Sequence, residues 1–215
     1  MKKYFVLAIM AMFTLASQAQ IVSSRSSRVT TTQGLYEDYS TLYLQWNPSS
    51  FKEDDESESF NGFSAGYNHA FSLSQSIPLY LEAGLGVQYS HWSKERSGYE
   101  ITLNMLSAKV PVSLAYKFDI PNSEFSIVPN VGLDFRFNII GRMKVKSSYG
   151  DESWSVFSDD DMGDDAWKRF QVGWHIGANF MYKSLLLGAS YGTDFSEIAE
   201  DAKVHTASIT LGYCF

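Results

Sequence analysis

Val204-His-Thr-Ala-Ser-Ile-Thr-Leu-Gly-Tyr-Cys-Phe215 ends the chain, and its reading decides the fold. Counting back by twos from Phe215 gives Tyr213, Leu211, Ile209 and Ala207, all apolar or aromatic. Between them lie Cys214, Gly212, Thr210, Ser208 and Thr206, all small or polar. Successive side chains of a strand point to opposite faces. The pattern is therefore a β-strand with one greasy face and one wet face.

Seven further segments repeat the period. Tyr39 to Asn47 places Leu42, Leu44 and Trp46 together, and Phe60 to Phe71 does the same with Phe63, Ala65, Tyr67 and Phe71. Leu79 to Trp92 sets Leu81, Leu85, Val87 and Tyr89 opposite Glu82, Gly84, Gly86 and Gln88. Tyr99 to Phe118 is the cleanest, with Ala108, Val110, Val112 and Leu114 against Ser107, Lys109 and Ser113. Phe125 to about Lys146, Arg169 to Tyr182 and Leu185 to about Phe195 complete the set. Each reaches the roughly 9–11 residues a tilted strand needs to cross a bilayer, the first only just.

The connections alternate in character. Ser72–Pro78, Asp119–Glu124 and Lys183–Ser184 are short. Pro48–Ser59, Ser93–Gly98, Ser147–Lys168 and Ser196–Lys203 are polar and largely acidic, and most are longer. Short turns at one end and long loops at the other are the habit of membrane barrels. The sequence predicts an all-β fold: an eight-stranded antiparallel up-and-down transmembrane barrel over 39–215. A soluble barrel of the lipocalin kind would share the alternation but turn its greasy face inward. Gly, Ser and Asn at mid-strand on the wet face suit a narrow filled lumen, and Tyr89, Tyr116, Phe118 and Tyr182 suit an interfacial girdle. Both favour the membrane.

Composition agrees. Met1-Lys-Lys-Tyr-Phe-Val-Leu-Ala-Ile-Met-Ala-Met-Phe-Thr-Leu-Ala-Ser-Gln-Ala19 has a basic start, an apolar core and small residues before Gln20. It reads as a signal peptide over 1–19, too short in its apolar run to span as a helix, with 20–38 as a periplasmic segment. The chain is 15% aromatic, with 13 Tyr and 15 Phe, while its mean hydropathy is slightly negative. That combination excludes a helical membrane protein and fits a barrel, in which alternate residues meet lipid. The single cysteine, Cys214, excludes an internal disulfide. The formal charge of −7, which becomes −9 without Lys2 and Lys3, argues against nucleic acid as a partner.

The segments Leu106-Ser-Ala-Lys-Val-Pro-Val-Ser-Leu-Ala-Tyr-Lys-Phe118, Val128-Pro-Asn-Val-Gly-Leu-Asp-Phe-Arg-Phe137 and Thr210–Phe215 resemble the small outer membrane protein β-barrel domain family. That family shares its architecture with the OmpA transmembrane domain and OmpX. The resemblance covers about Tyr39 to Phe215. It implies location in a Gram-negative outer membrane, contact with lipid and lipopolysaccharide, and recognition of the terminal aromatic strand by the barrel assembly machinery. Cys214 departs from the polar or charged residue expected there.

The wet face collects Glu82, Lys109, Lys117, Asp134, Arg136 and His175. Charges in so narrow a lumen must pair, so these read as a structural network that fills it; a charged gate for small ions is the alternative. A register that sets Phe118 against Phe125 puts Lys109 opposite Asp134. The run Asp159-Asp-Asp-Met-Gly-Asp-Asp165 has the oxygens a Ca²⁺ site needs but not the spacing of an EF-hand loop. His91, Ser93 and Glu95 share a face, in partial likeness to outer-membrane lipid A deacylases. Neighbours at i and i+2 lie about 6.5–7 Å apart on a strand, too far for proton transfer. No catalytic, cofactor-binding or metal residue is assigned. The expected protein is a monomeric, non-enzymatic barrel serving envelope integrity or an extracellular or host partner, with a narrow channel and a lipid-modifying enzyme as alternatives.

Overall fold

The computed structural model describes residues 36–53, 56–96, 98–147, 150–163, 166–195, 198 and 203–215. The leader reading over 1–19, and the following segment as far as 35, lie outside these residues. The described chain forms β1 (Tyr39–Glu53), β2 (Glu56–Ser72), β3 (Leu79–Arg96), β4 (Tyr99–Tyr116), β5 (Phe118–Asp119), β6 (Phe125–Ser147), β7 (Gly150–Ser155), β8 (Phe170–Tyr182), β9 (Leu185–Asp194) and β10 (Lys203–Cys214). One helical turn, α1 (Asp159–Met162), lies between β7 and β8.

Each strand pairs antiparallel with its neighbour in the order β1-β2-β3-β4-β6-β8-β9-β10, and β10 returns to β1. That is a closed ring of eight. β5 prolongs β4 across a kink, and β7 pairs only with β6, beyond the ring. The seam between the ends of the chain is complete: Ser40 N–H donates to Phe215 O and Phe215 N–H to Ser40 O, each at 2.9 Å. A closed sheet leaves no edge, which is the condition for strands in hydrocarbon.

Exposure settles which face is which. Leu44, Phe63, Leu211 and Phe215 are 59–64% exposed, whereas Ser64, Gln88 and Ser208 are 4–6% exposed. The greasy face points out and the wet face in, the inverse of a soluble barrel. Phe118, Phe125, Tyr182 and Tyr213 ring the short-turn end, and Trp46, Tyr89 and Tyr191 lie toward the other.

Three expectations are corrected. Pro48–Glu53 and Glu56–Ser59 are strand, not loop: β1 and β2 run on as a hairpin to Glu53 opposite Glu56. Phe51, partly buried, stacks there on the buried Phe60 with centroids 4.5 Å apart, so an aromatic pair favours strand beyond the span the alternation marked. Pro48 does leave a mark, because the β1–β10 ladder skips Asn47 and Pro48 between Trp46 and Ser49; a residue without N–H cannot continue it. Second, the β4–β6 register is two residues from that expected. Phe118 faces Ile127 and Asp119 faces Ser126, because the turn is confined to Pro121–Glu124 with Asn122 left-handed at φ 59°. A shift of two keeps every face, but it sets Lys109 against Arg136 and Pro111 against Asp134. Third, the stretch Ser147–Lys168 contains β7 and α1 rather than loop alone.

Inside, the barrel has three tiers. At the short-turn end Ala70, Tyr80, Ala115, Val128, Met181, Leu186 and Cys214 form a buried apolar layer, with Tyr36 and Tyr39 packed on it. Cys214 fits this layer, which is why the wet-face rule fails at that position. At the long-loop end Phe60, Leu103, Met105, Val156, Phe157, Ile198 and Val204 form another. Val156 and Phe157 come from the segment after β7 and seat against Gly141, where a Cβ would collide with both side chains. Trp167 N–H to Val156 O at 2.8 Å and Lys168 N–H to Ile198 O at 3.0 Å hold that segment over the mouth. A polar chamber lies between the two layers.

Candidate functional site

The chamber has a volume of about 110 Å³ and takes its wall from all eight ring strands. Glycines on the inner face make room for the large polar side chains: Tyr43 reaches over Gly66 and Gly86, and its hydroxyl would lie 2.5 Å from a Cβ at either.

Lys109 with Asp134 and Arg136 with Asp194 pair as ions in a confined, low-dielectric space must, whereas Glu82 meets a hydroxyl instead of a cation. Lys109 Nζ lies 3.3 Å from Asp134 Oδ1. The pair thus forms diagonally, across the register that the turn sets. Arg136 bonds through Nη2 to Asp194 and donates from Nε to Gln171 Oε1 at 3.1 Å. Asn138 extends this group, donating to Gln171 Oε1 at 3.3 Å and accepting from Ser107 Oγ at 2.6 Å. Glu82 accepts from the Tyr39 hydroxyl at 2.8 Å. Neutral bonds continue around the wall, with Asn47 Nδ2 donating to Ser64 Oγ and accepting at Oδ1 from Ser208 Oγ, both at 2.9 Å. Lys117 stays at the short-turn mouth, 3.6 Å from Asp119 Oδ1 and 6.0 Å from the Tyr39 ring centroid.

The charge list read from sequence left out Asp194, and it did not connect Ser113 to His175. Asp194 shares its parity with Leu186, Gly188, Ser190 and Gly192, so alternation carried the signal to the last residue of β9. Ser113 was placed on the wet face, but its partner was not foreseen. Its hydroxyl lies 2.9 Å from His175 Nε2, and His175 Nδ1 lies 2.9 Å from Asp134 Oδ2. Ser113 and His175 both face Gly132, on the two sides of β6. A Cβ on Gly132 would fall 2.5 Å from Ser113 Oγ, so glycine there lets two strands' side chains meet over a third.

The residues noted on the outer face do not assemble. His91 Nδ1 lies 2.9 Å from the Asn104 side-chain oxygen, which also accepts from the Tyr89 hydroxyl at 2.6 Å. Ser93 faces Thr102 and Glu95 faces Glu100, with Ser93 and Glu95 exposed. The carboxylate that a deacylase arrangement needs beside His91 is replaced by an amide. In the aspartate run, Asp161 accepts from Ser155 N–H at 2.9 Å. Among the described residues no three metal-binding side chains converge.

Three lysines at the long-loop end are engaged by acids. Lys146 lies 3.1 Å from Glu100 and Lys144 3.0 Å from Asp151, and Lys94 pairs with Glu58. The Lys94 ammonium holds the Glu58 carboxyl below the usual carboxylate range. The segments 49–60, 93–104, 141–169 and 196–203 contain 17 acidic residues against 9 Lys and Arg.

Residues 18–199 match the family model described as outer membrane protein beta-barrel domain. No curated protein matches the chain. Among solved structures, the chain is similar to Ail, the attachment invasion locus protein of Yersinia pestis, solved in complex with the heparin analogue sucrose octasulfate. The identity is 18% with a TM-score of 0.50, over 83% of this chain and 99% of Ail. Neisserial surface protein A matches at 15% identity and TM-score 0.46, over 82% and 97% of the two chains. The outer membrane enzyme PagL matches at 10% and 0.43, over 79% and 98%.

Proposed function

Because the chain belongs to the outer membrane protein beta-barrel domain family, we propose that it is exported by cleavage after Ala19 and sits in the outer membrane as a closed barrel. Its outer loops, not its lumen or its lipid face, then carry its interaction with a partner. The observation that carries this reading is the charge of those loops. Eight acidic residues remain after every Lys and Arg there is matched, and three of the lysines already hold carboxylates. Such a surface attracts cationic partners and repels polyanions. The sulfated ligand on Ail is thus the wrong sign for this chain, and the partner class is a basic protein surface or divalent ions shared with lipopolysaccharide. The apolar layers at both ends of the chamber support a lumen that does not conduct, and the amide beside His91 supports a lipid face without hydrolase chemistry.

The test is retention of the protein in bilayer discs on polylysine and on heparin. It should bind polylysine, and binding should fall as the Debye length shrinks from about 10 Å at 0.1 M salt to about 3 Å at 1 M. Replacing Asp54, Asp55, Asp164 and Asp165 with Asn should weaken it. Preference for heparin would overturn the reading.

A further inference from the structure

Ser113, His175 and Asp134 stand in the relation of nucleophile, base and orienting acid. The carboxylate of Asp134 can only accept, so the proton of a neutral His175 sits on Nδ1, which faces it at 2.9 Å. That leaves the lone pair on Nε2, which is 2.9 Å from Ser113 Oγ and is placed to accept the hydroxyl proton. Lys109, 3.3 Å from the other carboxylate oxygen, holds Asp134 in place against His175. These are the geometric roles by which an activated serine is recognised on any fold. They also explain a cost, since Gly132 gives up a side chain at the one place where it would block the serine.

All three residues border the chamber, as does Tyr43, whose hydroxyl is a donor of the kind a developing oxyanion needs. The chamber's 110 Å³ holds about eight waters, at roughly 10–15 Å³ each by this measure. That is room for a small ester. The apolar layers at either end exclude charged donors, and they exclude bulk water from the reacting group.

We propose that Ser113 is an activated nucleophile and that the lumen is an acyl-transfer site for small uncharged esters. The Ser113 oxygen forms a bond to the ester carbonyl carbon while its proton passes to His175 Nε2. The bond from carbon to the leaving oxygen then breaks, and that oxygen takes the proton from His175. The products are an alcohol and acyl-Ser113. Water, attacking with His175 again as base, returns the serine and releases the acid. Asp134 is a positioning residue here. The proposal is independent of the loop charges behind the surface-binding reading, and either can fail alone.

The experiment exposes folded protein in bilayers to p-nitrophenyl acetate and maps acetylated serines by mass spectrometry. Ser113 should react about 10²–10⁴-fold faster than four other buried lumenal serines, Ser64, Ser90, Ser107 and Ser208, the range a positioned general base supplies. In His175→Gln the Ser113 rate should drop to theirs while theirs stay unchanged; added imidazole should restore it in His175→Ala. If the histidine variants fail to fold, Asp134→Asn replaces them and should lower the Ser113 rate alone. Ser113 reacting no faster than the other four serines, or equally fast without His175 or the Asp134 carboxylate, would overturn the proposal.

Discussion

Asp134 concentrates the residue-scale argument. It holds Lys109 at 3.3 Å and His175 at 2.9 Å on its two oxygens. Asp134→Asn keeps the size and the bond to His175 but leaves the Lys109 ammonium without its counter-charge. Removing one partner of a buried pair costs about 3–5 kcal/mol, and a polar chamber places this case near 3. The double change Lys109→Met with Asp134→Leu removes both charges and should cost less than Asp134→Asn alone. Urea unfolding from bilayers measures both, and a double variant less stable than the single would show that the ions do more than cancel each other. The pair was legible in the sequence as two opposite charges of the same parity on consecutive long strands. Its register was not, because that depends on whether Phe118 or Ile120 starts the turn, and both suit strand or turn. The contact of Ser113 with His175 was harder still. The two residues are 62 apart in sequence and meet across an intervening strand, so nothing local marks them except Gly132.

At the scale of elements, the closing strand carried the most information and fixes the most structure. β10 pairs with β1 from Cys214 opposite Thr41 down to Lys203 opposite Lys52, and Phe215 adds two backbone bonds to Ser40. Deleting Phe215 removes those bonds and an aromatic that is 64% exposed, while leaving every other rung of the seam in place. Export should therefore proceed and insertion should slow. Pulse-labelling followed by membrane fractionation should show protein accumulating short of the membrane; unchanged membrane levels would remove the seam's role in assembly. Strand positions were readable wherever one face meets lipid and the other the chamber. The reading failed beyond that band. Above it the outward residues of β1, β2 and β3 turn polar while Phe51, Phe60, Trp92 and Leu103 turn toward the interior cluster. The alternation continues there with its sense reversed, and a rule of greasy-out and polar-in takes such a hairpin for a loop.

At the largest scale, the barrel of Tyr36–Phe215 is a box with two lids, and that follows from the same reversal at both ends. Eight strands enclose little more space than side chains need, and here a chamber of about 110 Å³ remains. Polar residues fill the middle because glycines thin the wall around them, whereas apolar residues fill the ends, where β-strands leave the lipid and an interior must be closed against water. Barriers in series are governed by whichever stays shut. Tyr80, which is 2% exposed and packs edge-on to Tyr39 at 5.2 Å, closes the short-turn end. Phe157, 6% exposed, closes the other with Val156. Phe157→Gly alone should leave the barrel closed through Tyr80, and Tyr80→Gly alone should leave it closed through Phe157. The double variant should conduct small ions in planar bilayers, with the current favouring cations, because the chamber wall holds Glu82, Asp134 and Asp194 against Lys109 and Arg136. Recordings of the four proteins under one voltage decide the matter. A wild-type protein that conducts, or a single variant that opens as far as the double, would show that the tiers do not act as independent seals.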